Sequence, residues 1–311
     1  MPRTRSIRIG TRSSPMALHQ AGQVAAALEA QDPAVSAELV KITTSGDQWM
    51  GDLAALGGKG AFVREIDRAL LDGEVDLAVH CLKDIPGDVP NPEGLVFAAY
   101  LAREDIRDSV ISRTGAHLAQ LPEGSVVGTS SVRRAAQLRL HHPHLQVKPL
   151  RGNVNTRLMR LDAGHFDAII AAVSGLHRVE QADRITEILA LETMCPAIGA
   201  GIIVLQCRAS DDQMRTLAAR LGDDETTRHA IAERAMLHAL QGHCNSPIAG
   251  YATTERSGKL TLRGKVFNLD GSQWLDSHHW GVPEDPAALG YFVGADLLRQ
   301  GARALIDSIA H

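Results

Sequence analysis

The chain has 311 residues, 44% of them hydrophobic, and a formal net charge of -4. That length exceeds what one hydrophobic core usually serves, so at least two packed domains are expected. A net negative chain lacks the broad basic face that nucleic acid or an anionic membrane would need, so its arginines are expected to act locally.

No apolar run reaches the roughly 18 residues of a membrane span, and Met1–Arg5 opens no apolar signal core. A cytoplasmic protein is expected. Cys81, Cys195, Cys207 and Cys244 are too scattered for a disulfide framework or a zinc ribbon, and reduced thiols are expected.

Ile7-Arg-Ile9 alternates, Gly10–Ser14 turns, and Pro15 opens a helix that runs to Leu28. This is strand, polar turn, helix. Helical spacing returns at Val63–Leu71, and Val75–His80 is an apolar run suited to a strand covered on both faces. The same grammar recurs at Ser125–Gly128, Thr129–Ser131 and the helix Arg134–Leu140. A strand through Val147 leads into the turn Gly152–Asn155 and a helix to Asp162, after which Phe166–Ala171 repeats the aspartate-led run of Val75–His80. Two related α/β units are the economical reading. Periodicity lapses over Leu191–Gly201 and resumes at Ile202–Cys207, which we read as a crossing back to the first unit. Asp211–Leu221 and Glu225–Leu240 are helical. Lys259–Phe267 and the residues after it read as a hairpin turning at Asp270-Gly271. One helix from Pro286 to Ile309 closes a small third α/β domain.

Three turns, Thr11–Ser14, Thr129–Ser131 and Gly152–Asn155, each precede a helix and so offer free backbone N–H groups and hydroxyls to an anion. Arg12, Arg133, Arg134, Arg151 and Arg157 lie on or beside them, and a guanidinium fork grips carboxylate or phosphate two bonds at a time. Helix capping by solvated surface residues is the plainer reading of any single turn. Three turns in two echoing units point to a cleft lined on both walls for a ligand with several negative groups. Lys83-Asp84 follows the Val75–Leu82 run, at the carboxyl end of a strand where open α/β sheets bind ligands. A carboxylate there can stabilise a cation or pass protons. Gly57-Gly-Lys-Gly60 lacks the spacing of a nucleotide loop and reads as a glycine hinge with Lys59 near the cleft mouth. His141-His-Pro-His144 has no carboxylate or thiol at ligand spacing, so no metal is expected. Cys81, Cys195 and Cys207 sit in or beside apolar runs as ordinary core thiols. Cys244, in Gly242-His-Cys-Asn-Ser-Pro247, is displayed on a tight loop and is placed for attachment.

Taken in order, these motifs resemble the hydroxymethylbilane synthase (porphobilinogen deaminase) family over nearly the whole chain. They are Ile9-Gly-Thr-Arg-Ser-Ser-Pro15, Gly57-Gly-Lys-Gly-Ala-Phe62, His80-Cys-Leu-Lys-Asp-Ile-Pro86, Gly128-Thr-Ser-Ser-Val-Arg-Arg134, Leu150-Arg-Gly-Asn-Val-Asn-Thr-Arg157, Ala232-Glu-Arg-Ala235 and the cysteine loop. The resemblance implies an α/β fold of three domains, two resembling type II periplasmic-binding-protein domains around a central cleft and a small C-terminal α/β domain. The expected bounds are 1–101 with 204–222, 102–203, and 223–311. It implies an enzyme that joins four porphobilinogen molecules with loss of ammonia to give hydroxymethylbilane. The primer is a dipyrromethane cofactor held by a thioether at the position of Cys244. Asp84 matches the catalytic aspartate, and Arg12, Arg133, Arg134, Arg151, Arg157 and Arg178 match the binding arginines. Ser14, Lys83, Thr129 and Ser131 match lesser contacts, and Lys59 and Gly152 complete the candidate set from the hinge loop and the third turn. A monomer is implied, with no nucleic-acid or membrane partner. Ala55, Ala200 and Gln206 depart from the family's usual lysine, glutamine and glutamate, and altered affinity or chain handling is expected from them. The competing readings are a solute-binding protein of the same cleft, and a degenerate homologue that binds tetrapyrrole without polymerising it.

Overall fold

The computed structural model describes residues 5–49, 60–242 and 246–308. Cys244, Lys59, Ala55, His243 and most of the glycine hinge therefore lie outside the described residues.

The first sheet contains β1 (Arg5–Arg12), β2 (Val35–Ile42), β3 (Leu77–Cys81), β4 (Leu95–Tyr100) and β10 (Ile203–Arg208), in the order β2-β1-β3-β10-β4. β1 runs parallel to β2 and β3, while β10 is antiparallel to β3 and β4. The second sheet contains β5 (Asp108–Ser112), β6 (Val126–Gly128), β7 (Gln146–Lys148), β8 (Ala168–Ala172) and β9 (Glu187–Ile188), in the order β7-β6-β8-β5-β9. Here β6 runs parallel to β7 and β8, and β5 is antiparallel to β8 and β9. The two orders are one topology used twice. In each sheet the antiparallel strand is the first one laid down after the chain crosses from the other lobe. The echoes expected from Ile7–Ser14 and Ser125–Ser131, and from Val75–His80 and Phe166–Ala171, thus occupy matching places: β1 corresponds to β6 and β3 to β8.

Burial explains the apolar runs. Ile7, Ile9, Leu77 and Leu205 pack with Leu28 of helix α1 (Pro15–Gln31) on one face of the first sheet. Val75 and Ala78 pack with Ile66 and Leu70 on the other. In the second lobe Val110, Val127, Ala168 and Ile170 form one core, and Ile111, Ile169, Leu158 and Leu161 form another on the opposite side. A sheet buried on both faces carries continuous apolar strands rather than alternating ones.

The third lobe is an antiparallel sheet of β11 (Ile248–Thr254), β12 (Leu260–Phe267) and β13 (Trp274–Gly281), in that order. The β12–β13 hairpin turns around Asp270-Gly271 as expected. Leu260, Leu262 and Val266 bury against Met236 of α8 (Asp224–Ala239) and Val293 and Leu297 of α9 (Pro286–Arg299). The closing helix is not continuous: it stops at Arg299, and a short helix, α10, restarts over Ala302–Asp307. The break falls on Gly301, whose φ of 106° lies in the left-handed region that a helix interior excludes.

Two crossing segments join the first and second lobes and pair with each other, Leu101 N donating to Ile203 O and Glu104 N to Gly201 O, both at 2.9 Å. Glu233 of α8, fully buried, fastens them to the third lobe. It accepts from Arg103 Nη1 and Gly199 N at 2.7 Å each, and from Ala252 N at 2.8 Å.

Candidate active site

The carboxyl ends of the parallel strands of both sheets carry the residues singled out from sequence. β1 ends on Arg12, and the next turn gives Ser14, which caps α1 by accepting from Ala17 N at 3.3 Å. β3 ends at Cys81, and a single 3-10 turn, Leu82–Asp84, then presents Lys83 and Asp84. β6 ends at Gly128 and delivers buried Thr129 and Ser131, the cap of helix α4 (Val132–His141). The loop after β7 carries Arg151 and Gly152. Gly152 sits at φ 107°, where a Cβ would lie 2.8 Å from Thr156, so the turn into helix α5 (Val154–Asp162) is built for glycine. All three predicted polar turns therefore precede helices, and Ser14, Ser131 and Asn153 cap them.

The arginines fall into two groups. Arg133 and Arg134, both buried, share Asp108. Arg133 donates to it through Nη2 at 2.7 Å, and Arg134 through Nε and Nη2 at 3.0 and 2.6 Å. Two guanidinium groups hold the Asp108 carboxyl well below the usual carboxylate range, against the burial that works to raise it. Arg133 Nη1 also donates to Cys195 O, and Arg134 Nη1 to Ile170 O. Asp108 was not foreseen from sequence. Arg157 is the opposite case. Its one hydrogen bond among the described residues runs from Nε to Gly152 O at 2.8 Å, and no carboxylate is paired with it. Burial and the neighbouring charges of Arg134 and Arg151 push its pKa down to about 10. It remains a cation at neutral pH, one that an arriving anion would relieve.

On the first lobe Arg12 donates through Nε to Asp47 Oδ1 at 3.1 Å, stacks 4.2 Å from the Phe62 ring, and keeps Nη1 3.6 Å from Asp84 Oδ2. Burial works to raise the Asp47 carboxyl, but hydrogen bonds from Arg12 and Thr44 hold it below its ordinary value. Asp47 was also missed in the sequence. Arg178, at the end of helix α6 (Val173–Arg178), pairs with Glu104 of a crossing segment at 2.8 Å and reaches within 3.9 Å of Cys81 Sγ. His80 is buried beneath Asp84, with its Nε2 3.0 Å from Gln206 Oε1, and burial drops its pKa to about 4, so the ring is neutral at pH 7. Of the departures from the family pattern, Ala200 offers its carbonyl to Arg103 Nε, while Gln206 bridges His80 and Asn91 inside the first lobe. Cys195 and Cys207 are core thiols, pushed up by burial to about 12 and about 11.

A cavity of about 110 Å3 gathers residues from all three lobes: Lys83 from the first, Ser131 and Arg133 from the second, and Leu237, Gly242 and Ser246 from the third. The last two flank the stretch that contains Cys244. Among the described residues no group of histidines, cysteines and carboxylates could hold a metal ion, and no helix is long and apolar enough to cross a membrane.

Fold and site together define an α/β protein of two similar lobes and a smaller third one, with Lys83, Arg133 and the third lobe's Gly242 and Ser246 lining one cavity. The family model described as porphobilinogen deaminase, dipyromethane cofactor binding domain, matches residues 7–216, and the one described as porphobilinogen deaminase, C-terminal domain, matches residues 227–299. The chain belongs to the porphobilinogen deaminase family. It is 55% identical over 305 residues to porphobilinogen deaminase 2 of Streptomyces coelicolor, covering 98% of this chain and 97% of that one. It is 47% identical to a porphobilinogen deaminase of Acidithiobacillus ferrooxidans, covering 98% of each chain. The solved structure of the methionine-binding protein MetQ overlays with a TM-score of 0.45 at 13% identity, covering 70% of this chain and 89% of that one.

Proposed function

We propose that this protein is a hydroxymethylbilane synthase, joining four porphobilinogen molecules with release of ammonia on a dipyrromethane primer carried by Cys244. The observation that carries this reading is the cavity that unites Lys83, Ser131 and Arg133 with the residues flanking Cys244. The donor set suits the cofactor: its pyrroles carry carboxylate arms, and the surrounding side chains are cations and hydroxyls. Cys244 would anchor it by a thioether, while Lys83, Ser131, Arg133, Arg151 and Arg157 would meet its carboxylates. When bound, the cofactor supplies the pyrrole carbon on which the chain grows.

The chemistry asked of the protein is electrostatic. As the carbon–nitrogen bond of porphobilinogen breaks and ammonia departs, positive charge spreads onto the substrate's pyrrole nitrogen. Asp84, with its side chain about one-third exposed and only 3.6 Å from Arg12, would accept a hydrogen bond from that nitrogen and stabilise the charge. Arg12, held by Asp47, would orient a substrate carboxylate without neutralising Asp84. Arg134 and Thr129 would complete the second wall, Ser14 and Gly152 would offer turn amides and hydroxyl, and Arg178 and Lys59 would lie nearer the hinge and the mouth. A cavity of about 110 Å3 is too small for a growing oligomer, so chain growth requires the walls to part. We further propose a monomer acting in the cytoplasm, with lobes bounded as 1–101 with 204–222, 102–203 and 223–311.

Intact mass tests the proposal. The purified chain should be heavier than its sequence by two linked pyrrole units, and Cys244→Ser should lack both the increment and the activity. A chain of unmodified mass that still makes hydroxymethylbilane would overturn it.

A further inference from the structure

A second and larger cavity, about 220 Å3, opens on the far side of the Asp84 turn. Its walls are mostly apolar, from Val63, Ile85, Pro86, Val89, Pro90 and Pro92. Three charged residues also line it: Arg64 and Asp67 of helix α3 (Arg64–Leu71), and Arg234 of α8. Gln206, which also lines the cavity, works to lower the Asp67 pKa, but Asp67 Oδ1 is buried with no hydrogen-bond partner. Arg234 donates to Pro86 O at 3.0 Å and lies 5.2 Å from the Phe97 ring, with no carboxylate paired to it among the described residues.

An orphaned buried carboxyl oxygen is a group that a native fold normally satisfies. Burial raises the Asp67 pKa to about 6, so at neutral pH the site holds an ionised carboxylate whose surroundings disfavour the charge. Among the described residues only Gln206 works against the burial. A ligand cation placed against Oδ1 would compensate for it.

We propose that this cavity is a separate, non-covalent site for one molecule of porphobilinogen, staged beside the catalytic turn before it enters the cleft. The match is chemical: an aminomethyl cation for Asp67, a flat ring for the proline and valine walls, and a carboxylate arm for Arg234. A mostly apolar pocket with a few convergent polar groups is the usual form of a small-molecule site. Ile85 and Pro86 are shared between this cavity and the one facing Ser131, so the two are separated only by the segment that follows Asp84. The inference rests on the proposed function for the identity of the ligand.

The test compares Asp67→Asn, which keeps shape and the Gln206 contact, with Val89→Phe, which fills the cavity from an unrelated wall. Both are made in the holoenzyme, with intact mass confirming the primer. The site predicts a KM for porphobilinogen raised on the order of tenfold in each, by the loss of one charge-assisted contact in Asp67→Asn and by lost space in Val89→Phe, with kcat unmoved. An unchanged KM in both variants would overturn it. So would a fall in kcat at constant KM, the signature of Asp67 acting through Gln206 and His80 on the catalytic turn. If the parent itself consumed no porphobilinogen, the functional reading would fail on its own. Calorimetric titration of porphobilinogen into the parent and Asp67→Asn would still decide this site, with equal binding to both sinking it.

Discussion

Arg12 stands between two carboxylates and is bonded to one: its Nε meets Asp47 at 3.1 Å, while its Nη1 remains 3.6 Å from Asp84. Burial opposes the Arg12 charge, yet the Asp47 hydrogen bond and the field of Asp84 raise its pKa. Asp84 gains a cationic neighbour without losing its oxygens to it, which is the arrangement a group needs if its charge is to act on a substrate.

Asp84→Asn keeps the shape of that side chain and removes the charge. Turnover should slow on the order of a hundredfold or more, the usual effect of deleting one preorganised stabilising group. Ammonia release in a single turnover is the measurement, and a rate close to the parent's would remove Asp84 from the chemistry.

Arg157 has no carboxylate partner among the described residues and is pressed by Arg134 and Arg151. Replacing it with methionine should lower kcat/KM about tenfold or more, the loss of a hydrogen bond to a charged group, while leaving melting temperature equal or higher. The exposed Arg160 on the same helix serves as the control, and Arg160→Met should change neither. A clear drop in melting temperature for Arg157→Met would show that the residue is structural.

Asp108 anchors Arg133 and Arg134 in the core. Its folded pKa lies below the unfolded value, so its contribution to stability is complete above about pH 4 and is lost as pH falls through the folded value. Asp108→Asn leaves two buried cations uncompensated and should cost about 3–5 kcal/mol. Denaturant titrations at several pH values should show a large deficit at neutral pH that shrinks in acid; a deficit independent of pH would argue against the ion-pair account.

Asp67 has the reverse sign. Its folded pKa of about 6 exceeds the ordinary carboxylate value, so the folded state binds the extra proton and ionisation destabilises it. The penalty is absent below about pH 4, grows toward pH 6 and is constant above. Asp67→Asn should therefore raise the melting temperature at neutral pH and change it little near pH 4. Equal effects at both would mean the carboxyl is not desolvated in solution.

What the sequence made legible was local. Ser14, Ser131 and Asn153 announce helix starts because a cap and its helix are neighbours in the chain, and Val75–His80 announces a doubly covered strand because burial on two faces leaves no alternation. The partners of the charged residues were not legible. Asp108 lies on a five-residue strand 25 residues before Arg133, and Asp47 lies in a four-residue helix, Ser45–Gln48, with no pattern tying it to Arg12. Strands β2, β5 and β11 escaped for a related reason: they are short or mixed in polarity and acquire their meaning from the neighbours they pair with. Arg133 and Arg134 look identical to Arg157 in a list of arginines, and only the fold separates two compensated cations from an uncompensated one. The closing helix was read through Gly301 because its flanks keep helical spacing on both sides.

Glu233 ties Arg103 and Gly199, one from each crossing segment, to the helix whose far end leads toward Cys244. Glu233 thus stands where all three lobes meet, so a substitution that frees the crossing segments from it would loosen the third lobe from both of the others at once.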